Sequence, residues 1–324
     1  MTMDVVRWGM IGCGSVAERK SGPAFYKAPC SALVAVMGRR LEAVSDYAAR
    51  HGIARVYTDV DALINDPEVD AVYIATPPDS HHAYSLKVAA AGKHCCVEKP
   101  MALNAGQSRE MQQAFADAGL HLFVSYYRRS LPRFAQVRHW LAQGRIGQVR
   151  HLSWTLTKAP SAADLDGSAN WRTDPSVAGG GYFADLASHG FDLFQYLLGD
   201  IVEVAGFTAR QAGLYAAEDA VSASWRFASG ALGMGCWSFV ADRREDRVEI
   251  IGSQGRIGFS VFDEHPVQLF ADEQISLDIP HHEHIQWHHV LGMNAHIRGD
   301  SNHPAVAEQA LKTDWVMDQI LKRH

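Results

Sequence analysis

The feature that most constrains the fold of this chain is a glycine-rich turn near its N-terminus. A short apolar run, Val5–Ile11, leads into residues 12–17 (GCGSVA), and residues 15–27 can follow as a helix. In such a strand–turn–helix the first glycine permits the tight turn, and the second lets the backbone approach a phosphate. The small Ala17 lets helix and strand pack closely, with the helix N-terminus facing the phosphates. The sequence therefore predicts a dinucleotide-binding turn whose cofactor contacts are Gly12, Gly14, Ser15 and Val16.

Apolar runs alternate with helical patterns through the next hundred residues. The predicted strands are 32–37, 56–57, 70–75, 94–98 and 121–126, and the predicted helices are 41–51, 60–65, 80–91 and 105–118. This alternation predicts an α/β domain with a doubly wound parallel sheet. Right-handed crossovers then place the ligand at the carboxyl ends of the strands.

After Arg128 the pattern becomes mainly β. The predicted strands are 149–157, 202–210, 221–227, 231–239 and 247–251, and the predicted helices are 131–143, 182–198, 285–297 and 305–322. Short turns between strands favour an antiparallel or mixed sheet. A length of 324 residues exceeds the usual size of one core, so we predict two domains, 1–125 and 126–324, with the last helix able to pack back on the first.

The composition argues against several classes of protein. A net charge of −6 with scattered arginine pairs offers no basic field for nucleic acid. No apolar run approaches the roughly 18 residues of a membrane-spanning helix, and the N-terminus lacks the basic region of a signal peptide. Five cysteines without a CxxC motif fit a reducing compartment, so we expect a cytoplasmic protein.

The end of the second predicted strand bears on the choice of cofactor. NAD-selective sites usually place an acidic residue there to accept hydrogen bonds from the ribose 2′-hydroxyl. Here the chain reads Gly38-Arg39-Arg40, and the first carboxylate is Glu42. Because a guanidinium suits a 2′-phosphate, we predict NADP(H), with Arg39 the first contact and Arg40 the second. NAD(H) is the second choice, and two solvated surface arginines are the alternative interpretation.

Two further segments carry residues suited to proton transfer. Glu98-Lys99-Pro100 closes a strand at the edge where a nicotinamide would lie, and a lysine there can polarise a carbonyl; a surface lysine is the alternative. Asp185, His189 and Asp192 recur at i, i+4 and i+7 on one helical face. His189 can exchange a proton near neutral pH, and Asp185 can hold a substrate hydroxyl. A core histidine satisfied by Asp192 is the alternative.

No metal site is predicted. Three ligands on one helix converge poorly on a single ion. The segment His281–His289 is rich in histidine but contains no HExxH, so we interpret it as a solvated or interface cluster, or as contacts near a substrate entrance.

With these residues assembled, the chain resembles the glucose-fructose oxidoreductase and inositol dehydrogenase (Gfo/Idh/MocA) family. The order and spacing of the motifs together are specific, although each alone would be weak. The matching segments are Gly12-Cys13-Gly14, Ala75-Thr76-Pro77-Pro78 with His81, Glu98-Lys99-Pro100, Tyr126-Tyr127-Arg128-Arg129, Trp171-Arg172-Thr173-Asp174-Pro175, Gly179-Gly180-Gly181, and Asp185 with His189 and Asp192.

The resemblance implies a Rossmann domain followed by an α/β domain with a large, mostly antiparallel open sheet that often mediates dimers or tetramers. It implies that Lys99 and His189 form the catalytic pair and that Asp185 aids substrate binding. The remaining residues that it implies are Thr76, Pro77, His81 and Glu98 beside the nicotinamide, and Tyr126, Arg128, Trp171 and Arg172 among the substrate contacts. The chain departs from NAD-preferring members at residues 38–40.

The resulting hypothesis is reversible hydride transfer between nicotinamide C4 and a secondary carbinol carbon of a sugar, inositol or related polyol. Two alternatives stay open. One is a tightly bound nucleotide that serves a redox-neutral reaction, and the other is a non-catalytic NADP(H)-binding sensor.

Overall fold

The computed structural model describes residues 4–323, which form two compact units. The first unit comprises residues 4–130 and His282–Leu311, and the second comprises Leu131–His281 and residues 312–323. The domain boundary expected between residues 125 and 126 stays a prediction. In the observed division, His282–Leu311 belongs to the first unit.

The first unit contains a six-stranded parallel sheet. Its spatial order is β3-β2-β1-β4-β5-β6, the doubly wound arrangement predicted from the sequence. The strands are β1 (Val6–Ile11), β2 (Ser31–Met37), β3 (Arg55–Tyr57), β4 (Ala71–Ile74), β5 (His94–Val97) and β6 (Leu122–Val124).

Helices cover the sheet, and apolar side chains are buried on both of its faces. The helices are α1 (Gly22–Lys27), α2 (Leu41–His51), α3 (Val60–Ile64), α4 (His81–Ala90) and α5 (Ala105–Asp117), with 3-10 turns at Pro78–Ser80 and Tyr127–Ser130. A π-helix, Ala17–Ser21, precedes α1, so the single helix predicted over residues 15–27 is interrupted. A Cβ at Gly22 would collide with the Ala17 carbonyl and the Tyr47 hydroxyl, so the close approach that follows the π-turn requires glycine.

The second unit is built on an eight-stranded sheet. Its order is β14-β13-β12-β11-β7-β10-β9-β8, and every neighbouring pair except β7 and β10 is antiparallel. The strands are β7 (Val149–Thr157), β8 (Ile201–Ala209), β9 (Ala220–Phe227), β10 (Leu232–Ser238), β11 (Glu245–Gly252), β12 (Arg256–Phe259), β13 (Val267–Phe270) and β14 (Gln274–Leu277). The last three were not predicted, because four-residue strands carry too short an alternation.

One face of this sheet packs against a long apolar helix, which the sequence predicted with the same bounds. The helices between residues 131 and 281 are α6 (Pro132–Ala142), α7 (Ala162–Asp166), α8 (Pro175–Ala178) and this long helix, α9 (Tyr182–Leu198), with a 3-10 turn at Trp171–Thr173. Gly190 of α9 lies against the ring of Trp154 on β7, where a Cβ would overlap the indole. The Trp154 Nε1 donates to Asp246 Oδ1 at 3.0 Å, which fixes the ring against which α9 packs.

The chain after β14 returns to the first unit through α10 (Trp287–Ile297). Val290 and Met293 enter the core beside Trp8, whose Nε1 donates to Asn294 Oδ1 at 2.9 Å. The Val124 amide donates to the Ala305 carbonyl at 3.1 Å, so the chain extends the sheet edge beyond β6. The last helix, α11, spans Ala307–Leu321. None of the helices within residues 4–323 has the length and apolar character that crossing a bilayer requires.

Five histidines of the first unit form a connected cluster. His94 stacks on His121 with 4.9 Å between ring centroids, and His121 lies 4.3 Å from His296. His296 Nδ1 accepts from the His303 amide at 3.0 Å, and the rings of His303 and His289 are joined by a 2.9 Å hydrogen bond. Burial lowers the pKa of His94 to about 4 and of His303 to about 3, and it lowers the pKa of His289 well below its usual range.

This cluster predicts a loss of stability in acid. Unfolded imidazoles take up protons below about pH 6.5, whereas the folded rings stay neutral until about pH 4 or 3, so the free energy of unfolding falls as the pH drops below 6.5. Between pH 7.5 and pH 5.0, the free energy of unfolding of His303→Gln should fall by about 2 kcal/mol less than that of the wild type. Urea denaturation at the two pH values measures this difference.

The matched control is His265→Gln, which removes an exposed histidine of the second unit. It should show the wild-type fall. Two outcomes would contradict the proposed effect of the cluster. One is a wild-type protein whose free energy of unfolding is the same at pH 7.5 and pH 5.0, and the other is a fall in His303→Gln as large as that of the wild type.

Candidate functional site

A cavity of about 770 Å³ opens at the carboxyl ends of β1, β2 and β4. This is where the strand order reverses direction, between β1 and β4, the place at which doubly wound sheets bind ligands. The cavity brings together six of the residues that the sequence assigned to the cofactor: Gly12, Gly14, Arg39, Arg40, Thr76 and Pro77.

The glycine turn passes close to the neighbouring strand end. Gly12 adopts a φ of 99°, and its amide donates to the Met37 carbonyl at 2.9 Å. A Cβ at Gly12 would lie 3.0 Å from the carbonyl carbon and oxygen of Ala75, so a side chain is excluded by both conformation and space. A Cβ at Gly14, by contrast, would meet no atom of residues 4–323 within 4 Å. Gly14 and Ser15 are exposed, so at these residues the turn leaves the space beside the backbone that a pyrophosphate needs.

The helical residues after the turn start at Ser15 and Val16, as predicted. The Glu18 amide donates to the Gly14 carbonyl at 2.9 Å, which is the first bond of the helix. The amides of the first turn lack partners within their own helix and point towards its N-terminal end. Together with the turn, they fit a dinucleotide whose phosphates sit at this helix N-terminus.

The cavity also extends over the end of β2. Arg39 and Arg40 are both exposed there, and Arg40 is the residue that precedes α2. Asp79, before α4, is the carboxylate that lines the same cavity, so the lining carries two cationic groups and one anionic group. The local charge suits an anionic group on the ligand at this end.

His81 lies behind the cavity rather than in its lining. The ring is fully buried; its Nδ1 lies 2.9 Å from the Pro100 carbonyl and its Nε2 lies 2.8 Å from the Thr76 carbonyl. Burial lowers the pKa of His81, while these carbonyls and Glu98 oppose the shift. The imidazole thus fastens the loop after β4 to the loop after β5, and its predicted nicotinamide contact stays a prediction.

Glu98 and Lys99 follow β5 at the same edge of the sheet. Glu98 is 8% exposed, and Lys99 is half-buried and joined to Pro100 by a cis peptide bond. Glu98 Oε1 accepts from the Tyr73 hydroxyl at 2.6 Å and from Gln286 Nε2 at 2.9 Å. Sequence reasoning missed both partners, although a tyrosine within an apolar run and a glutamine beside the histidines are signals that could have been followed.

The second unit carries the other predicted catalytic residues on α9. Asp185, His189 and Asp192 have the helical spacing expected from the sequence, and His189 and Asp192 are buried. The Arg172 Nε lies 3.5 Å from Asp185 Oδ2. The rings of His189 and Phe262 lie nearly perpendicular to each other, with 5.8 Å between their centroids. The arrangement holds an imidazole and a carboxylate one helical turn apart.

The four predicted substrate contacts differ in exposure. Trp171 is 37% exposed, and the Arg172 guanidinium lies over its ring at 4.3 Å. Tyr126 and Arg128, in the first unit, are 1% and 4% exposed, and Tyr126 is part of the apolar core. The structure thus gives Tyr126 a packing role, and the substrate contacts of Tyr126 and Arg128 stay predictions.

Lys158, which directly follows β7, was missed at the sequence level. Its Nζ lies 3.4 Å from the centroid of the Tyr182 ring, and the Tyr182 hydroxyl donates to Asp164 Oδ1 at 2.8 Å. Burial lowers the pKa of Lys158, and Asp164 and Asp185 oppose that shift. The signal that could have found it is a lysine at the end of a long alternating strand.

The histidine-rich stretch is divided among different surroundings. His282 stacks on Trp287 at 4.5 Å, and His284 Nε2 lies 2.9 Å from Lys27 Nζ, whereas His289 is in the buried cluster. Within residues 4–323, no group of three or more histidine, cysteine or acidic side chains is arranged to hold a metal ion.

Comparison with known proteins adds the following. Residues 6–126 match "Oxidoreductase family, NAD-binding Rossmann fold", and residues 134–258 match "GFO/IDH/MocA C-terminal domain". Oxidoreductase P35 of Formosa agariphila is 33% identical, over 97% of each chain. The 1,5-anhydro-D-fructose reductase of Ensifer adhaerens is 32% identical, over 81% of this chain and 78% of its own. A solved structure of levoglucosan dehydrogenase in complex with NADH has a TM-score of 0.89 at 23% identity, over 98% of this chain and 96% of that one, which shows a shared fold.

Proposed function

Because the chain belongs to the Gfo/Idh/MocA family of NAD-binding oxidoreductases, we propose that it transfers a hydride between NADP(H) and a secondary alcohol or ketone of a sugar, inositol or related polyol. The observation that carries the proposal is the cavity at the carboxyl edge of the first sheet, where the Gly12 turn is open to a pyrophosphate. The reductase from Ensifer adhaerens supports a sugar-like substrate.

The preference for NADP(H) rests on the end of β2. A ribose 2′-phosphate carries negative charge, and the two exposed guanidinium groups of Arg39 and Arg40 line the cavity there. NAD-selective sites usually carry a carboxylate at this position, and this chain has arginine there. NADH, the ligand of the levoglucosan dehydrogenase complex, is the competing choice.

We predict that Arg39→Ala weakens NADPH binding at least about tenfold, because it removes a charge-assisted hydrogen bond to phosphate. NADH binding should change little. Calorimetric titration of both nucleotides measures this, with Arg109→Ala, an exposed arginine on α5 outside the cavity, as the control. Equal affinities for NADPH and NADH in the wild type would refute the phosphate contact and leave the fold assignment intact.

The proposed chemistry assigns proton transfer and charge stabilisation to side chains. The nicotinamide, when bound, accepts or supplies a hydride at C4. In oxidation of the alcohol, His189 or Lys99 removes the hydroxyl proton, and the Lys99 ammonium stabilises the developing alkoxide charge. Asp185, beside Arg172, holds a second hydroxyl of the substrate. Trp171 and Arg172 complete the proposed substrate contacts.

Lys99 is also a predicted cofactor contact, and removing its amine should slow turnover far more than it weakens nucleotide binding. For Lys99→Met we expect kcat to fall at least about a hundredfold, the usual effect of losing a positioned acid–base group, with a much smaller change in the dissociation constant for NADPH. Steady-state kinetics and calorimetry measure the two quantities. The control is Lys87→Met, which removes an exposed lysine ion-paired to Asp61. Near-normal turnover of Lys99→Met would exclude the assigned role.

We further propose that the chain forms a homodimer or homotetramer through the open face of the second sheet. Neighbouring strands place Phe207 beside Ser222 and Met234 beside Ser224 on this face. Phe207 is 78%, Met234 53% and Leu232 49% exposed. Large apolar side chains on a broad sheet face favour burial against a second copy.

Light scattering of the purified protein tests this assembly. The wild type should have the mass of a dimer or tetramer, and Phe207→Asp with Met234→Asp should shift it to the monomer, because charges placed in an apolar interface oppose association. Leu165→Asp, which alters an exposed leucine on α7, is the control and should leave the mass unchanged. A monomeric wild type would refute the proposal.

A further inference from the structure

A chain of buried polar groups runs behind Lys99 within the first unit. Tyr73 on β4 pairs in register with Cys96 on β5, and Glu98 lies two residues further along, on the same face. This register brings the Tyr73 hydroxyl to 2.6 Å from Glu98 Oε1, and the same hydroxyl lies 2.9 Å from Ser21 Oγ. Gln286, which precedes α10, reaches the same carboxylate oxygen.

The second carboxylate oxygen of Glu98 contacts Lys99, the residue that we propose to act in catalysis. Glu98 Oε2 accepts from the backbone amide of Lys99 at 3.3 Å. Tyr73, Gln286 and Ser21 are each at most 1% exposed, so the hydrogen bonds of Tyr73 and Gln286 to Glu98 Oε1 are shielded from water. Leaving a buried acceptor without its donors is costly, and the partners therefore fix the orientation of the carboxylate.

The donor state of Tyr73 is also defined. Burial raises the pKa of Tyr73 well above its usual range, and the nearby charge of Glu98 adds to this effect. The hydroxyl consequently stays protonated and donates to Glu98. Ser21 ends the π-helix Ala17–Ser21, so the chain of contacts begins in the helix that follows the glycine turn.

We propose that Tyr73 and Gln286 are positioning residues for Lys99. They hold the Glu98 carboxylate so that its second oxygen binds the Lys99 amide, which fixes the backbone from which the lysine side chain extends. This inference rests on the proposed function only for its kinetic consequence. The contact between Glu98 and the Lys99 amide can be measured without any substrate.

Tyr73→Phe separates this role from simple packing. The ring of Tyr73 stacks on Phe25 at 4.5 Å and 24°, and phenylalanine keeps that contact while it loses the hydroxyl. Tyr47→Phe is the matched control: Tyr47 is 1% exposed in the same core, and its hydroxyl has no hydrogen-bond partner within residues 4–323. Gln286→Met removes the second donor at similar volume.

The first readout is hydrogen exchange of the Lys99 amide, followed by NMR in the full chain. We expect exchange to quicken at least about tenfold in Tyr73→Phe and further in the double variant Tyr73→Phe/Gln286→Met, with no change in Tyr47→Phe. The second readout is kinetic. In Tyr73→Phe, kcat should fall about tenfold, while KM for the nucleotide stays near the wild-type value.

The outcomes distinguish the two claims. Unchanged Lys99 exchange in the double variant would overturn the positioning role, whatever the activity. Faster exchange with wild-type kcat would overturn its link to catalysis. If the wild type turns over no sugar or polyol, the proposed function fails, and the exchange data still decide whether Tyr73 and Gln286 hold the Glu98 contact. Equal losses of kcat and of unfolding free energy in Tyr73→Phe and Tyr47→Phe would show a packing effect and overturn the proposal.

Discussion

The close approach of the Gly12 backbone to the end of β4 is the constraint on which the candidate site depends. Gly12 has a φ of 99°, and a Cβ there would lie 3.0 Å from the Ala75 carbonyl, so a side chain is excluded. Strands β1 and β4 are paired up to this point, and the strand order reverses between them, so the ends of β1, β2 and β4 share one cavity. Lys99 follows β5, the next strand, at the same edge of the sheet. Gly12 therefore shapes the turn that we propose to bind phosphate, at the same sheet edge from which Lys99 extends.

Local patterns predicted the elements that carry strong periodicity or end at glycine. Helix α9 was predicted with its observed bounds because its apolar positions repeat over 17 residues, and α2 because it stops at Gly52, which has a left-handed φ of 68°. The sheet of the first unit followed from the alternation of strands and helices. Six of the residues predicted to bind the nucleotide line one cavity because the carboxyl ends of parallel strands meet at one edge.

The features that the sequence did not predict depend on contacts between distant residues. The π-helix at Ala17–Ser21 reflects packing of Gly22 against Tyr47, which is 25 residues away in the chain. The link from Gln286 to Glu98 joins positions 188 residues apart. The return of His282–Leu311 to the first unit arises from pairing at the β6 edge and from the Trp8–Asn294 hydrogen bond. No local periodicity encodes such contacts.

Hydride transfer is tested most directly with a reduced nicotinamide that carries deuterium at both C4 positions. Reactions with a panel of ketoses and inososes, analysed by mass spectrometry and NMR, show where the label goes. We expect one deuterium at the carbinol carbon of the product for each nucleotide oxidised. A sugar converted to a product that carries no deuterium on carbon, or a nucleotide that no member of the panel oxidises, would contradict hydride transfer.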